Sequence, residues 1–203
     1  MIMISALFSD YPDSPEMDIA FAINTAASDA DRTFQVITDS LKKIVKKFNP
    51  EKLRYSVITF GDEATPEVSF TEDPQDLKKL VKALDKLPQS SGDPDFKKLL
   101  DEAKNVFDND SGRAKSNRVL VVITDSKSPA TLSEINDAVK PLKKDGITVV
   151  AVRIGEEADP RQLEKMTGDK TNVLNLTKER DPEKIGNEVM KAVKEGWFCV
   201  FLQ

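Results

Sequence analysis

Histidine is absent from the chain, and cysteine occurs once, at Cys199. Without histidine there is no Ser-His-Asp or Cys-His catalysis, and with one thiol there is no zinc site built on His or several Cys. A disulfide framework is excluded within a single copy of the chain. No apolar run approaches the ~20 residues that span a bilayer. No Gly-x-Gly-x-x-Gly follows the first predicted strand, and no lysine follows a glycine run, so the usual phosphate-cradling loops are missing. An excess of bases is missing too. The 35 Asp and Glu outnumber 30 Lys and Arg for a net charge of −5, which argues against nucleic acid as the partner. Residues 1–16 contain neither Lys nor Arg, so they lack the basic start of a secretory signal. We expect them to be a stub of a longer product or a segment that packs on the domain.

What remains is 203 residues, enough for one domain with a real core. We divide them into an N-terminal tail (1–16), a domain (17–196) and an apolar C-terminal tail (197–203). Within the domain, strand and helix patterns alternate. Asp18 to Ile23 is a short apolar run of the kind expected for a strand buried on both faces. Phe34, Ile37, Leu41, Ile44, Val45 and Phe48 follow at helical spacing, with Lys42, Lys43, Lys46 and Lys47 on a solvated side. Asp29 or Asp31 is placed to cap this helix and Asn49-Pro50 to stop it. Leu53 to Phe60 reads as a strand. Thr65 to Phe70 reads as an antiparallel edge strand, where Pro66 is tolerated because an edge needs fewer donors. Helical stripes follow from Leu77 to Leu87, from Phe96 to Phe107 and from Leu132 to Leu142. Val119 to Ile123 and Ile147 to Val152 are buried-strand patterns. A short helix near Arg161–Met166, a strand near 173–176 and a helix from Pro182 to Glu195 complete the order. This alternation predicts an α/β fold: a doubly wound, mostly parallel six-stranded sheet with one antiparallel edge strand and helices on both faces.

Ligands of such sheets bind beyond the carboxyl ends of the central strands. That places Asn24 to Ser28, Thr124 to Ser126 and the Ser91 to Asp95 loop together as the candidate site. Over Met17 to Gly196 the chain resembles a von Willebrand factor type A domain. The resemblance rests on Met17-Asp-Ile-Ala-Phe-Ala-Ile-Asn24, Tyr55-Ser-Val-Ile-Thr-Phe60, Val119-Leu-Val-Val-Ile-Thr-Asp-Ser126 and Gly146-Ile-Thr-Val-Val-Ala-Val152. It implies a non-enzymatic module for protein–protein adhesion, working through a metal-ion-dependent adhesion site. That site is built on Asp-x-Ser-x-Ser after the first strand, a Thr before a helix and an Asp after the fourth strand. Hard oxygen donors of this kind hold Mg2+ octahedrally, and an acidic group of the partner completes the shell.

This chain departs from the pattern. Asn24 stands at the first Asp position and Ala26 at the first Ser, while Ser28 and Asp125 match the second Ser and the last Asp. Asp93 stands at the Thr position. Asn24 removes an anion, Ala26 removes an oxygen, and Asp93 returns a carboxylate. The altered set suits either Ca2+, which accepts irregular shells, or a lapsed site in which Asn24 and Asp93 hydrogen-bond across the loops. We expect the lapse, since Ala cannot supply a ligand. Ser28 is a cap or residual ligand position rather than a nucleophile, and the acids Asp93 and Asp95 are placed to cap the following helix.

The resemblance implies a protein partner, with collagen or another matrix protein in first place. The chain would be secreted into an extracellular matrix, as a module of the matrilin, collagen VI or byssal-matrix kind. The alternative is an intracellular scaffold of the same fold in the cytoplasm; a small hydrolase or phosphotransfer domain is weaker, for want of a phosphate loop. Cys199 is either a buried thiol or the site of an intermolecular disulfide, and the apolar tails offer a second route to a homodimer. The sequons at Asn109 and Asn175 are few enough to arise by chance.

Overall fold

The computed structural model describes residues 16–26, 30–46, 52–70, 76–89, 92–110, 113 and 116–200. Six strands form one sheet: β1 (Met17–Asn24), β2 (Leu53–Phe60), β3 (Ala64–Val68), β4 (Asn117–Ser126), β5 (Thr148–Glu157) and β6 (Val173–Asn175). Among the described residues six α-helices cover it: α1 (Ala30–Lys46), α2 (Leu77–Leu84), α3 (Phe96–Asp110), α4 (Leu132–Lys144), α5 (Pro160–Thr167) and α6 (Pro182–Val200). The spatial order is β3-β2-β1-β4-β5-β6. All neighbours run parallel except β2 and β3. The predicted architecture is therefore the observed one.

Side-chain alternation explains the two layers. Ile19, Phe21 and Ile23 of β1 face one side with Val119, Val121 and Ile123 of β4, where Ile37, Leu41 and Ile44 of α1, Leu80 and Leu84 of α2 and Ile185 and Val189 of α6 cover them. Ala20 and Ala22 face the other side, with Leu120 and Val122, under Phe96, Leu99 and Ala103 of α3, Ile135 and Val139 of α4 and Leu163 of α5. Burying each large side chain stabilises the fold by about 1.5–3 kcal/mol. Both faces of the central strands are covered, which is why β1 and β4 read as continuous apolar runs rather than alternating ones.

Some boundaries differ from the periodicity. β3 ends at Val68, and a register shift between Val57 and Ile58 accompanies its pairing, with Pro66 opposite Ile58 on the edge. β5 runs on to Glu157, past the apolar residues, because Ser126 pairs with Glu157 beyond a second irregularity. α6 continues beyond Glu195 to Val200, so the backbone of Cys199 is helical. The Cys199 thiol, the N-terminal tail to residue 15, Ser28, the side chains of Asp29 and Asp31, and Asn49-Pro50 lie outside the described residues.

At the amino ends of the parallel strands Asp18 is fully buried. Arg113 pairs with it through Nε at 3.1 Å and through Nη2, and the same Nη2 donates to the Met17 carbonyl at 2.8 Å. Ser116 Oγ donates to the other carboxylate oxygen. A charge removed from water is tolerated only with partners of this kind.

Candidate functional site

The winding of the chain reverses between β1 and β4, so the crevice above their carboxyl ends is where such a sheet binds ligands. The register places Ile23 beside Ile123, which brings Asn24 next to Thr124 and Asp125. Asn24 is 1% exposed and Asp125 4%. The Asn24 amide Nδ2 donates to Asp125 Oδ1 at 2.9 Å and to Thr124 Oγ1 at 3.3 Å. Its Oδ1 accepts from the Ala26 backbone N–H at 3.0 Å. Both ends of the amide are engaged, one across the strands and one on its own loop. The loop is also held by the Thr25 N–H, which donates to the Phe60 carbonyl of β2 at 2.9 Å.

Asp125 accepts a second hydrogen bond on the same oxygen, from Ser126 Oγ at 2.7 Å. Its position depends on β5. A Cβ on Gly155 would stand 2.5 Å from the Asp125 carbonyl oxygen and 2.6 Å from its Cβ, so only glycine lets the strands approach this closely. The register irregularity between Thr124 and Ser126 lies at this contact, and such an irregularity re-aims a side chain at a sheet rim.

The third component is the loop before α3. Gly92 has φ +106° and packs against Asp62 of the β2–β3 turn. The Asp95 N–H donates to the Gly61 carbonyl at 2.7 Å. Asp95 caps α3, accepting from the backbone N–H groups of Lys97 at 2.9 Å and Lys98 at 3.1 Å. The capping role expected of the two loop acids thus falls to Asp95. Asp93 is exposed and makes no hydrogen bond among the described residues. Among the described residues Asn24 bonds to β4 and to its own loop.

Two residues that the pattern did not single out organise the neighbouring loop. Ser128 Oγ accepts from the Phe96 N–H at 3.1 Å, tying the start of α3 to the β4–α4 connection. Buried Gln162 accepts from the Ser128 N–H at 3.0 Å and donates to the Ser128 and Ala130 carbonyls, both at 2.8 Å. Its only signal is a polar residue next to Leu163 and in line with Met166 on the buried stripe of α5. Around the crevice the rim is acidic. Asp62, Glu63, Asp93 and Glu157 are exposed there, with Lys98 and Lys127 as the nearby bases. The Glu63 carboxylate beside Lys98 raises that ammonium above its ordinary pKa. Among the described residues no group of three or more His, Cys, Asp or Glu is placed to hold a metal ion.

Comparison with known proteins agrees with this architecture. The model of the von Willebrand factor type A domain matches residues 18–188. The chain is 27% identical over 155 residues to the collagen alpha-4(VI) chain of Mus musculus, covering 75% of this chain and 6% of that protein. It is 27% identical over 185 residues to the collagen alpha-5(VI) chain of Homo sapiens, covering 89% of this chain and 7% of that one. It therefore spans less than a tenth of these relatives. Among solved structures, proximal thread matrix protein 1 from the mussel byssus superposes with a TM-score of 0.75 at 22% identity, over 90% of this chain and 46% of the mussel chain. A second structure of that protein, with a zinc-occupied adhesion motif, gives 0.75 at 23% identity over 89% and 46%.

Proposed function

The chain belongs to the von Willebrand factor type A family, and from that premise we propose that it is a non-enzymatic protein-binding and structural module of an extracellular matrix whose adhesion site has lapsed as a metal site. The partner is a matrix protein, with collagen first among the candidates. It docks on the loop face carrying Asn24, Ser28, Asp93 and Asp125. The collagen VI relatives support the matrix setting. Among the described residues no helix is long and apolar enough to cross a membrane.

One contact carries the lapse: the 2.9 Å hydrogen bond from Asn24 Nδ2 to Asp125 Oδ1. In an adhesion site that holds Mg2+, oxygen anions from the two strands face a shared cation. Here an amide N–H carries the positive end itself, so the carboxylate is satisfied without an ion. Mg2+ demands a near-ideal octahedral oxygen shell, and Ala26 contributes no side-chain oxygen to one. The donor set does not fit the ion. Recognition then rests on the surface of the loops rather than on coordination of an acidic group from the partner.

Calorimetric titration with Mg2+, Mn2+ and Ca2+ tests the lapse, and binding to collagens with and without chelator tests the mode of recognition. We expect no sub-millimolar metal affinity and matrix binding that is indifferent to chelator. Sub-millimolar affinity for any of the three ions, or binding abolished by chelation, overturns the metal-free reading.

A further inference from the structure

We propose that Asn175 is a site of N-linked glycosylation, the acceptor for an oligosaccharide delivered from a lipid diphosphate. The proposal rests on the matrix reading above, since a chain meets such a donor on entering the secretory pathway. Asn175-Leu-Thr177 carries the acceptor pattern, an Asn followed two residues on by a hydroxyl residue with no proline between. Residues of these types fall together by chance often enough. Their place in the fold is what sets this triplet apart.

Asn175 is the last residue of β6, the edge strand of the sheet, and it is exposed. The Thr177 N–H donates to Asn175 Oδ1 at 3.4 Å. Only the oxygen end of the amide accepts a hydrogen bond, so this contact turns Oδ1 to the backbone and leaves Nδ2 uncommitted. Nδ2, the atom that takes the sugar, makes no hydrogen bond among the described residues, and neither does the Thr177 hydroxyl. The main chain of the triplet is held instead. The Leu176 N–H donates to the Arg153 carbonyl of β5 at 2.8 Å, and the half-buried Leu176 side chain packs on the core. Arg180 Nη1 donates to the Thr177 carbonyl at 2.9 Å. The protein thus holds the backbone and the middle side chain, and both groups that glycosylation needs stay free.

In the transfer, Asn175 Nδ2 bonds to the anomeric carbon of the first sugar while the bond from that carbon to the diphosphate oxygen breaks. The lipid diphosphate leaves with the electron pair, and the transferase takes the proton that the amide nitrogen loses. The other triplet, Asn109-Asp-Ser111, is placed differently. Asn109 lies in the last turn of α3 and is followed by Asp110, whose charge opposes the approach of an anionic donor. Leu176 brings no such charge. A glycan is bulky and solubilising, so it needs a position over which nothing packs. The end of an edge strand is one, and the open N–H and C=O groups of that edge gain cover against pairing with another chain. Asn175 pairs in register with Arg153, and Arg153 with Thr124. At about 4.8 Å per strand the acceptor stands about 10 Å across the sheet from Thr124. The glycan therefore borders the proposed docking face on its β6 flank.

The test is translation of the full chain behind a cleavable secretory signal in the presence of endoplasmic-reticulum vesicles. Chain inside the vesicles is recognised by its protection from added protease. We expect the protected chain to gain the mass of one glycan, removed by peptide N-glycosidase and mapped to Asn175 by mass spectrometry. Asn175→Gln and Thr177→Ala should abolish the gain, Thr177→Ser should retain it, and Asn109→Gln should leave it unchanged. Protected chain with no glycan at Asn175 overturns the proposal, whether it carries none at all or one at Asn109. So does a glycosylated chain that no longer melts cooperatively, because the structure keeps the acceptor clear of the core. Forced entry into the vesicles separates this inference from the matrix reading. A chain that binds collagen but takes no glycan removes the inference alone, and a glycosylated chain that binds no matrix protein removes the partner and leaves the acceptor standing.

Discussion

Asn24→Asp supplies the carboxylate that, on the reading proposed above, an adhesion site would carry at this position, and it removes the donor that satisfies Asp125. An oxygen would then stand where Nδ2 now lies 2.9 Å from Asp125 Oδ1. Two unit charges at that separation repel by about 6 kcal/mol at an effective dielectric near 20, and both positions are buried. The pair has a way out, which limits the damage. Taking up one proton lets the neutral acid donate the hydrogen bond that the amide made. At pH 7, protonating an ordinary carboxyl costs about 4 kcal/mol, three pH units at about 1.4 kcal/mol each. Protonation is the cheaper course, so the expected loss of stability is about 3–4 kcal/mol at pH 7.

The pH dependence follows with a definite sign. The variant pair holds a proton in the folded state that the unfolded chain releases above about pH 4, so its folded pKa is raised. Its contribution is most favourable below the unfolded value and is lost as pH rises through the window between the two. The difference between parent and variant should therefore shrink from about 3–4 kcal/mol at pH 7 to under about 1 near pH 4, where protonation is free. Urea unfolding of both proteins at several pH values measures it, with the parent at each pH cancelling all other titrations. A loss below about 1 kcal/mol at pH 7, or one that does not change with pH, would refute the idea that the amide stands in for a cation.

Three further outcomes are expected. Gly155→Ala places a methyl 2.5 Å from the Asp125 carbonyl, and strain of this kind costs roughly 1–3 kcal/mol, read as a lowered urea midpoint. Arg113→Ala leaves the fully buried Asp18 carboxylate without its ion pair, and removing one partner of a buried pair typically costs about 3–5 kcal/mol, measurable by thermal melting. Finally, hydrogen bonds from Lys140, Lys104 and Arg161 hold the carboxyls of Asp137, Asp145 and Asp159 below their ordinary values. Their folded pKa values are depressed, so their contribution is complete above about pH 4 and is lost as pH falls below it. Unfolding at pH 3 should need less denaturant than at pH 6.

Much of the fold is legible in single residues. Val119 to Ile123 is apolar without interruption, and only a strand covered on both faces tolerates that; β4 is central in the sheet. Pro66 lacks a donor, and β3 is at the edge. Less legible were the ends of elements. β5 continues through polar Glu156 and Glu157 because a neighbouring strand pairs with it there, and pairing leaves no trace in hydropathy. Gln162 was hidden for a related reason. One polar residue on an apolar stripe reads as an interruption until the backbone groups of Ser128 and Ala130 are seen to need it.

The candidate site divides along the same line. The order of segments, which sets family and topology, is written in the chain because apolar spacing dictates which face each element buries. The same holds for Asn24 and Ala26, on which the proposed lapse rests, since that is a matter of residue identity. What the Asn24 amide does was decided only in three dimensions. A shift of one residue in the β1–β4 register, or a side chain at Gly155, would move Asp125 out of reach of a hydrogen bond that is effective only near 2.9 Å. Hydrophobic patterning sets which face a side chain takes, but not a separation to a few tenths of an ångström. A hydrogen bond depends on that separation, and so the tertiary structure determined that the carboxylate is satisfied by an amide.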